Sequence, residues 1–545
     1  MKRSAPKSAV WSLCLLLAGP FVAAGAGEPA SPPSSPWWRD AAFYQIFVRS
    51  FADSTSGPLA GDGIGDLQGL IDKLDYLNDG DPATTTDLGV SAIWLLPINP
   101  SPSYHGYDVS DYFAVNPQYG DVALFKKLIS EAHRRGIKVV IDLVLNHASS
   151  QHPWFKEALR EESPPAAGSK RDLFVFAPAA RQNAGPWGER CWHYAEGEFY
   201  YGIFDSGMPD WNFRNPAVTE HHRAVAKFWL QDVGVDGFRL DAIRYLFEHN
   251  DSLQDLSETK RWLRQFTDYC HELKPGAFLV GEVWADTAQA ASYVSAGSVD
   301  TDFEFDLAKS FIEAASFSSP SLVTRRLERT RAAYGTLPWA TFLANHDQER
   351  TLSQLGGDRA KAALAAALQF TAPGIPFIYY GEEIGMTGKK PDPDLRTPLQ
   401  WSDAPQAGFT TGTPWHALNS DYPKVNVAAE SAAPDSLLSL YRRLVRLRAA
   451  SPALRSGTPV AGFAFDGRGL YADLRESPSD IVLVLANTSD RPRDKWTLTL
   501  PDGVTALGAP ALLFSTAPLP SPAVPGRAGF ALPPQSVALF QWRKP

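Results

Sequence analysis

The stretch GVDGFRLDAIRY, residues 234–245, places an arginine and an aspartate two residues apart at the end of an apolar run. Because side chains at positions i and i+2 of a strand share a face, Arg239 and Asp241 are predicted to point the same way. A guanidinium beside a carboxylate favours its ionised form, and an ionised carboxylate can attack an electrophilic carbon. Asp241 is therefore a candidate nucleophile, and a structural ion pair at a strand end is the alternative.

Apolar runs of this kind recur along the chain and alternate with helical patterns. Their uninterrupted apolar character is typical of strands covered on both faces, and the alternation predicts an α/β protein built as a (β/α)8 TIM barrel of parallel strands. Helical patterns cover residues 67–77, 122–135 and 217–233. The predicted strands lie in FYQIFVRSF from Phe43, SAIWLLPIN from Ser91, KVVIDLVLNH from Lys138, VDGFRLDA from Val235, FLVGEVW from Phe278, VDTDFEFDL from Val299, ATFLANHD from Ala340 and GIPFIYYGEE from Gly374.

Two departures from the alternation predict further domains. Residues 148–215 have no helix and strand rhythm, only short runs with Trp, Tyr, Gly and Pro, which indicates a small domain inserted after the third strand. Residues 456–545 contain short strands separated by Pro and Gly turns, which predicts a C-terminal antiparallel β-sandwich. The barrel is assigned to residues 37–147 and 216–455.

The N-terminus and the composition predict where the protein works. Basic residues, an apolar segment and the small residues AGA at 24–26 indicate a signal peptide over residues 1–26. No later stretch approaches the roughly 18 to 20 apolar residues of a membrane span, so we expect an exported protein, secreted or periplasmic, with no membrane partner. The net charge of −9 argues against nucleic acid as a partner. We expect a monomer.

Two cysteines, Cys191 and Cys270, remain after removal of the signal peptide. An oxidising compartment would permit a disulfide between them, but their spacing does not show whether they meet.

Acidic and basic side chains stand at the ends of several predicted strands, where TIM barrels carry their chemistry. Three carboxylates without a nucleophilic Ser or Cys and without a phosphate loop match the cleavage of glycosidic bonds. In that reaction one carboxylate attacks the anomeric carbon and a protonated one donates to the leaving oxygen. The residues at these ends are Asn146, His147, Arg239, Asp241, Glu282, His346 and Asp347.

Glu282 is the candidate acid/base. It lies between Gly281 and Val283 at an apolar strand end. Removal from water raises the pKa of a carboxyl group, which would bring Glu282 into the working range of an acid.

Four segments resemble the diagnostic segments of glycoside hydrolase family 13, the α-amylase family, in the right order and on the right strands. A fifth segment, MPDWN at residues 208–212, resembles another at the end of the insert. The resemblance covers essentially the whole mature chain and is nearest to secreted bacterial α-amylases. The four segments are DLVLNH (142–147), GFRLDA (237–242), GEVW (281–284) and NHDQ (345–348).

The resemblance implies a double displacement with retention, acting on starch-like α-glucans. It implies Asp241 as the nucleophile, Glu282 as the acid/base and Asp347 as the acid that distorts and stabilises the first bound sugar. As contacts to the substrate, the resemblance implies Tyr107, His147, Arg239 and His346. His105 and Tyr104 lie in the same segment as Tyr107 and are further candidates for substrate contact.

The segment SYHGYD, residues 103–108, favours cleavage of internal α-1,4 bonds. Exo-acting relatives commonly carry an acidic residue three positions before the stacking tyrosine, whereas Tyr104 stands there in this chain. An aromatic face can support a continuing glucan, while a carboxylate would hydrogen-bond a terminal hydroxyl. The segment also resembles the α-amylase version of the motif.

Two other functions stay open. One is an exo-acting α-glucosidase or a glucosyl-transferring relative, because RTPLQW at residues 396–401 resembles a segment common in those enzymes. In that alternative, Tyr104 only packs the rim, and residues 394–396 close the pocket. The other is a catalytically inactive, carbohydrate-binding homologue.

The loop GDGIGDL, residues 61–67, predicts a calcium site. Asp62, the Ile64 carbonyl and Asp66 stand at i, i+2 and i+4, a spacing that lets a tight turn point oxygens at one hard cation. The loop resembles the N-terminal calcium loop of many family members, in which Asp53 would be the first ligand. It departs from that loop at residues 55–60, where a middle Asp or Asn is usual. A solvated turn is the alternative.

A second calcium site would hold the insert to the barrel. It could use Asn146 and Asp210, to which the family usually adds a carbonyl near Tyr245.

Overall fold

The computed structural model describes residues 35–161, 168–179, 184–249, 252–519 and 530–544. The predicted signal peptide, residues 1–26, lies outside the described residues, so export stays a prediction. In the described ranges, none of the helices combines the length and the apolar character needed to cross a membrane.

Helices and strands alternate along most of the described chain. The strands are β1 (Phe43–Ile46), β2 (Ala92–Leu95), β3 (Lys138–Val144), β4 (Phe176–Ala177), β5 (Trp192–Ala195), β6 (Glu198–Tyr201), β7 (Gly237–Asp241), β8 (Phe278–Gly281), β9 (Thr301–Asp302), β10 (Ala340–Thr341), β11 (Ile375–Tyr379), β12 (Thr458–Pro459), β13 (Ala464–Asp466), β14 (Leu470–Glu476), β15 (Asp480–Asn487), β16 (Thr497–Thr499), β17 (Ala511–Ser515) and β18 (Ser536–Arg543). The α-helices are α1 (Val48–Phe51), α2 (Leu67–Asp72), α3 (Leu74–Leu77), α4 (Val122–Arg134), α5 (Pro153–Ala158), α6 (Pro216–Lys227), α7 (Ser257–Leu273), α8 (Thr287–Ser295), α9 (Phe305–Phe317), α10 (Ser321–Tyr334), α11 (Thr351–Gln354), α12 (Arg359–Thr371), α13 (Asp392–Leu395), α14 (Val427–Ala432), α15 (Leu437–Ala450), α16 (Pro452–Ser456) and α17 (Asp502–Thr505).

Eight parallel strands form the barrel, in the order β1-β2-β3-β7-β8-β9-β10-β11. Strand β11 pairs with β1, and a parallel bridge from Phe303 to Ala340 joins β9 to β10. Each of the eight predicted runs contains one of these strands, so the predicted TIM barrel is confirmed. The first run is shorter than predicted, because its second half turns into α1.

The strand that carries Arg239 and Asp241 lies very close to its neighbour. Gly237 pairs with Phe278 across β7 and β8, and a Cβ atom at Gly237 would stand 2.0 Å from the Phe278 carbonyl oxygen. Only glycine permits this approach. It brings the carboxyl end of β7 beside the end of β8, which Glu282 follows.

The predicted helices form with two changes. Residues 122–135 contain α4, whose first turn is capped by the Asp121 side chain accepting from the Leu124 amide. Residues 67–77 form two short helices, α2 and α3, instead of one. Helix α6 passes into a π-helical segment at Phe228–Val233, which ends at Gly234 with φ +106°.

The chain between β3 and α6 forms a small unit of its own, as predicted from its irregular sequence. Strands β4, β6 and β5 make an antiparallel sheet over a hydrophobic cluster that includes Cys191. Cys270 lies in the barrel core instead, so the two cysteines belong to separate clusters. The predicted boundaries at 147/148, 215/216 and 455/456 stay predictions.

A cluster of buried histidine and aromatic rings joins this small unit to the barrel. His152 precedes α5, while His221 and His222 lie on α6, and the rings of His221 and His222 have centroids 5.3 Å apart. Trp211 packs against all three histidines. Burial lowers the pKa of His152 and of His221 to about 4 and lowers that of His222 well below its usual value. We call these three residues and Trp211 the histidine joint.

The C-terminal strands form the predicted antiparallel domain. Strands β12-β14-β15-β18-β17 make one sheet and β13-β16 a second. Strand β15 is buried on both faces: Ile481, Leu483 and Leu485 pack in the domain's own core, while alternate residues, such as Val482 and Val484, pack on the barrel core. This alternation follows from the period of two in a strand.

Candidate active site

A cavity of about 690 Å³ opens at the carboxyl ends of the barrel strands, between the barrel and the small unit. This is the end at which TIM barrels carry their chemistry. Its walls combine carboxylates and cations with aromatic rings. The residues that line it are His105, Tyr107, His147, Pro186, Trp187, Phe204, Met208, Asp241, Ala242, Arg244, Tyr245, Gln254, Glu282, Trp284, Asp347, Lys390, Asp392 and Arg396.

Arg239 lies beneath this cavity and contacts three carboxyl groups. Its side chain is 1% exposed, and its Nη1 donates to Asp241 Oδ1 at 2.6 Å and to Asp142 Oδ1 at 2.8 Å. Its Nη2 lies 2.9 Å from Glu282 Oε2. The predicted shared face of Arg239 and Asp241 is confirmed. The guanidinium therefore orients both candidate catalytic carboxyls from one side.

Glu282 is held by a second donor, the backbone amide of Ala242, at 3.0 Å from its Oε2. Ala242 has φ +47°, in the left-handed region that a residue with a Cβ rarely adopts. This turn directly follows Asp241. A strained backbone at the end of β7 thus links the position of Glu282 to that of Asp241.

Burial sets the protonation of this carboxyl cluster. It raises the pKa of Asp241 well above its usual range, and Arg239 only partly opposes the rise. Burial likewise raises the pKa of Glu282, and that of Asp142 to about 6. Arg239, whose Nη1 lies 2.6 Å from Asp241 Oδ1, lowers the pKa of Asp241 as predicted, but this one cation faces three buried carboxyls and is shared among them. The cluster as a whole retains a proton that isolated carboxyls would lose, as a general acid requires.

Asp347 also lines the cavity. Arg396 Nη2 donates to Asp347 Oδ1 at 2.8 Å, and Arg396 Nε donates to the His346 carbonyl at 3.0 Å. These two bonds fix both the carboxylate and the backbone that carries it. Asp347 and Asp241 therefore line one cavity, each beside its own guanidinium.

Tyr107 and His346 connect Asp142 to Asp347 through a chain of contacts. The Tyr107 hydroxyl donates to Asp142 Oδ2 at 3.1 Å and lies 2.6 Å from His346 Nε2. Burial lowers the pKa of His346 well below its usual range, so the ring is neutral. Gln45 Nε2 donates to His346 Nδ1 at 2.8 Å, which leaves the ring proton on Nε2, toward Tyr107 and Asp347.

The other predicted substrate contacts differ in where they lie. His147 lines the cavity and donates from Nε2 to the Tyr107 carbonyl at 3.2 Å, and burial lowers its pKa to about 4. His105 lines the cavity beside Tyr107. Tyr104 does not line it: its ring stacks on Trp415 at 5.4 Å and lies under the Arg396 guanidinium. The cavity therefore brings together the three predicted catalytic carboxyls. Of the predicted substrate contacts, Tyr104 lies outside it.

Comparison with known proteins shows which family this chain belongs to. Residues 45–457 match the family model described as the alpha amylase catalytic domain. The chain belongs to the α-amylase family. It is 37% identical over 460 residues to Alpha-amylase 3 of Dictyoglomus thermophilum, which covers 83% of this chain and 86% of that protein. It is 32% identical over 547 residues to an oligo-1,6-glucosidase of Heyndrickxia coagulans, over 85% of this chain and 95% of that one.

A solved structure agrees with this placement. The crystal structure of the α-amylase from H. orenii superposes with a TM-score of 0.81 at 39% identity, covering 92% of this chain and 99% of that one. The protein is thus an α-amylase family glycoside hydrolase. Its relatives carry names of several different activities, so family membership does not decide which glycosidic bond it cleaves. Secretion and a monomeric state stay predictions.

Three residues of this family member complete the site without having been predicted for it. Asp142 is the first residue of the DLVLNH segment and binds Arg239. The signal that could have found it is its position on β3, two strands from β8, which Glu282 follows. Arg396 opens the RTPLQW segment but reaches Asp347 only through the fold. Gln45 lies on β1, in an apolar run that carries no chemical signal.

The carboxylates of the predicted N-terminal calcium loop are engaged by backbone amides. The carboxylates of Asp53, Asp62 and Asp66 accept hydrogen bonds from nearby backbone amides. Within the described residues, no group of three or more His, Cys, Asp or Glu side chains is arranged to hold a metal. Calcium at this loop stays a prediction. The amide donors are Gly61 and Gly63 to Asp53, Ile64 to Asp62, and Ser54 and Gly69 to Asp66.

The predicted second site fits a cation better. The side-chain oxygen and nitrogen of Asn146 are buried without a hydrogen bond of normal geometry in the described residues, although Asn146 lies close enough to lower the pKa of Asp210. Burial nevertheless raises the pKa of Asp210 well above its usual range. A buried amide oxygen beside a buried carboxylate is the donor chemistry that calcium prefers.

Proposed function

We propose that the protein hydrolyses internal α-1,4 bonds of starch-like glucans with retention at the anomeric carbon. The observation that carries the proposal is the residue three positions before Tyr107. It is Tyr104, packed flat against Trp415 at an interplanar angle of 23°, so this position supplies no carboxylate to bind a terminal hydroxyl. This position therefore cannot supply the acidic residue that chain-end enzymes commonly carry there.

In the proposed reaction Asp241 attacks the anomeric carbon while Glu282 donates its proton to the leaving glycosidic oxygen. The C–O bond to the leaving glucan breaks, and a glycosyl ester forms on Asp241. Glu282, now a carboxylate, then takes a proton from water, whose oxygen attacks the anomeric carbon and releases Asp241. Arg239 bonds both carboxyls throughout, which keeps them in position for both steps.

Asp347 and its neighbours serve the sugar that becomes covalently bound. Positive charge develops on that ring in the transition state, and anionic surroundings stabilise it. Arg396 fixes Asp347, while the neutral His346 presents its Nε2 proton to the same space. Tyr107 offers a ring that lines the cavity beside them.

The second candidate is exo-action, and two observations favour it. Tyr104 packs on Trp415 and does not line the cavity, while Arg396 does, as that alternative expects. Asp392 lines the cavity, 3.5 Å from Arg396 Nη2, and pairs with Lys390. A carboxylate there could hydrogen-bond a terminal hydroxyl, and the similar protein from Heyndrickxia coagulans is named an oligo-1,6-glucosidase.

Digestion of soluble starch separates the two candidates. We expect iodine staining to fall early, with malto-oligosaccharides as products and poor activity on maltose, because internal cleavage shortens the polymer quickly. Glucose as the sole early product, with polymer length hardly changed, would establish exo-action instead.

The variant Asp392→Ala sharpens this experiment. Endo-action predicts an unchanged product pattern and a rate within about threefold of the parent, since a half-exposed ion pair contributes little. Asp394→Ala is the matched control, because Asp394 lies on the same loop but pairs with His416 and does not line the cavity.

We also propose that calcium binds at Asn146 and Asp210 and ties the small unit to the barrel. Asp210 forms a bridge with His147, which lines the cavity, so this junction supports the site. Calcium would neutralise the buried Asp210 carboxylate and supply no chemistry to the bond cleavage itself.

Chelation is expected to lower the melting temperature by a few degrees, because a ligand at about 100 times its Kd stabilises the folded state by about 2.7 kcal/mol. Asp210→Asn should remove this sensitivity to chelator, whereas Asp62→Asn in the N-terminal loop should retain it. Melting curves at fixed ionic strength test both. Equal melting temperatures of the parent with and without chelator would contradict calcium at either position.

A further inference from the structure

Arg396, the residue that binds Asp347, lies in a segment whose backbone is held by three side-chain hydroxyls. Each hydroxyl donates to one of three successive carbonyls, those of residues 395, 396 and 397. We call these three bonds the hydroxyl clamp. They run from Tyr379 Oη to the Leu395 carbonyl at 3.1 Å, from Ser50 Oγ to the Arg396 carbonyl at 2.5 Å, and from Tyr380 Oη to the Thr397 carbonyl at 2.8 Å.

The clamp satisfies carbonyls that the local backbone leaves without donors. Helix α13 ends at Leu395, and carbonyls at the end of a helix have no partner within it. The segment is buried, and a buried carbonyl without a donor is costly. The donors come from distant parts of the chain, since Ser50 lies on α1 and Tyr379 is the last residue of β11. The barrel itself therefore decides where the backbone of Arg396 lies.

Each hydroxyl of the clamp has one proton, and the clamp uses it. Burial raises the pKa of Tyr379 well above its usual range and also raises that of Tyr380, so both phenols stay neutral donors. The Ser50 oxygen has a further fixed partner, because it accepts a bond from Trp415 Nε1 at 3.0 Å. The three hydroxyls thus have set directions and do not rotate freely.

Arg350 connects the two tyrosines to the segment that carries Asp347. Its Nη1 donates to the Tyr380 carbonyl at 2.7 Å, and its guanidinium lies over the rings of Tyr379 and Tyr380, at 4.6 Å and 4.8 Å from their centroids. Arg350 follows Asp347 by three residues. The Asp347 segment is therefore tied to the tyrosines through Arg350 and to Arg396 through Asp347, and the clamp closes this circuit.

We propose that Tyr379, Tyr380 and Ser50 are positioning residues for the bond cleavage. By holding the backbone of Arg396, they fix the guanidinium that binds Asp347 and the His346 carbonyl. None of the three lines the cavity, so their effect on turnover passes through Arg396. This inference rests on the proposed function, because in that reaction Asp347 stabilises the charge that develops on the sugar ring.

The variants Tyr379→Phe and Tyr380→Phe each remove one hydroxyl and keep the ring over which Arg350 lies. A catalytic group misplaced by about 1 Å can slow a reaction about a hundredfold. For the loss of one bond of three we expect kcat on soluble starch to fall about tenfold, with KM within about twofold of the parent, because Asp347 acts on the transition state. Ser50→Ala should show the same split, and it measures the clamp independently if a tyrosine variant does not fold.

Tyr334→Phe is the matched control. Tyr334 is a buried tyrosine on α10, and its hydroxyl donates to Asp302 Oδ1 at 2.6 Å and not to residues 395–397. Its loss should lower the melting temperature as the clamp variants do, because a buried acceptor again loses its donor. Its kcat and KM should equal the parent's. Kinetics at a temperature where every variant is fully folded keep stability out of the comparison.

The background Arg396→Met shows whether the clamp acts through Arg396. We expect Arg396→Met alone to lower kcat about a hundredfold, because Asp347 loses the group that fixes it. In that background Tyr380→Phe should lower kcat no further, while it lowers the melting temperature as it does in the parent. A hydroxyl that acted independently of Arg396 would lower kcat by the same factor in both backgrounds.

The results that overturn the clamp differ from those that overturn the function. If Tyr379→Phe, Tyr380→Phe and Ser50→Ala all keep the parent's kcat, or if Tyr380→Phe lowers kcat equally in both backgrounds, the clamp positions nothing and the hydrolase stands. Parent-like turnover of Arg396→Met also refutes the clamp. If the parent does not cleave starch, the proposed function fails and this inference fails with it.

Discussion

Asp241→Asn is expected to fold like the parent and to lose on the order of a thousandfold or more in kcat on soluble starch, because an amide cannot form the glycosyl ester. Its side-chain oxygen can still accept the bond from Arg239 Nη1, which at present spans 2.6 Å. The loss should therefore appear in turnover and not in the thermal melting curve. Asp347→Asn is expected to show a similar loss.

The matched control is Asp268→Asn. Asp268 is an exposed aspartate on α7 that lies 4.0 Å from Arg264, and its loss should leave kcat unchanged. Glu282→Gln adds a test of roles: it should also lose turnover on starch, but a maltosyl fluoride substrate, whose leaving group needs no proton, should restore formation of the glycosyl ester. The same substrate should not rescue Asp241→Asn. Substantial activity of purified Asp241→Asn on starch would remove it as the nucleophile.

Arg239→Met is the second change for which we expect a large effect. Arg239 is 1% exposed and bonds Asp142, Asp241 and Glu282, so its removal leaves three buried carboxyls without that cation. Breaking a buried ion pair from one side costs about 3–5 kcal/mol. We expect a fall of that size in the free energy of unfolding, together with near-complete loss of turnover.

Chemical denaturation with activity assays under native conditions checks this. Arg264→Met serves as control, because its ion pair is exposed on both sides and should contribute little. Arg239→Lys is informative as well, since one ammonium cannot reproduce the separate bonds that Nη1 and Nη2 make. If Arg239→Met unfolds at the same denaturant concentration as the parent, the three carboxyls do not depend on this cation.

The fold was predictable because its signal is local. The apolar run ending in Arg239 and Asp241 became β7, and the period of two in a strand placed both side chains on one face, with a contact of 2.6 Å. The positive φ of Ala242, which lets its amide reach Glu282, carries no such signal, because alanine rarely adopts that conformation.

The parts of the site that sequence reasoning missed depend on distant packing. Arg396 reaches Asp347 across a separation of 49 residues, and Tyr104 turns to Trp415 instead of the cavity. Spacing favours the Asp62 loop as a calcium site, whereas the proposal above places calcium at Asn146 and Asp210. In the Asp62 loop a backbone amide binds the Asp62 carboxylate, while the buried amide of Asn146, which lacks a hydrogen bond of normal geometry, becomes visible only when β3 and the small unit are packed together.

The histidine joint limits how acidic a medium the enzyme can tolerate. His152, His221 and His222 have pKa values lowered by burial, to about 4 for the first two, and Lys170, the charged neighbour of the first two, lowers theirs further. Their neutral forms stabilise the fold above pH 6.5, the ordinary histidine value, and as the pH falls toward 4 the unfolded chain binds protons that the folded joint refuses. Melting temperature should therefore drop steeply between pH 6 and 4.

His221→Phe should flatten that drop, because the ring remains while the titrating group is removed. His193→Phe is the control, since His193 lies on β5 outside the joint, and its profile should follow the parent's. A melting temperature of the parent that stays constant from pH 6 to 4 would show that these rings do not control acid tolerance. If the melting temperature instead falls as expected, loss of structure in acid should begin at the seam between the small unit and the barrel, before the carboxyl cluster itself is affected.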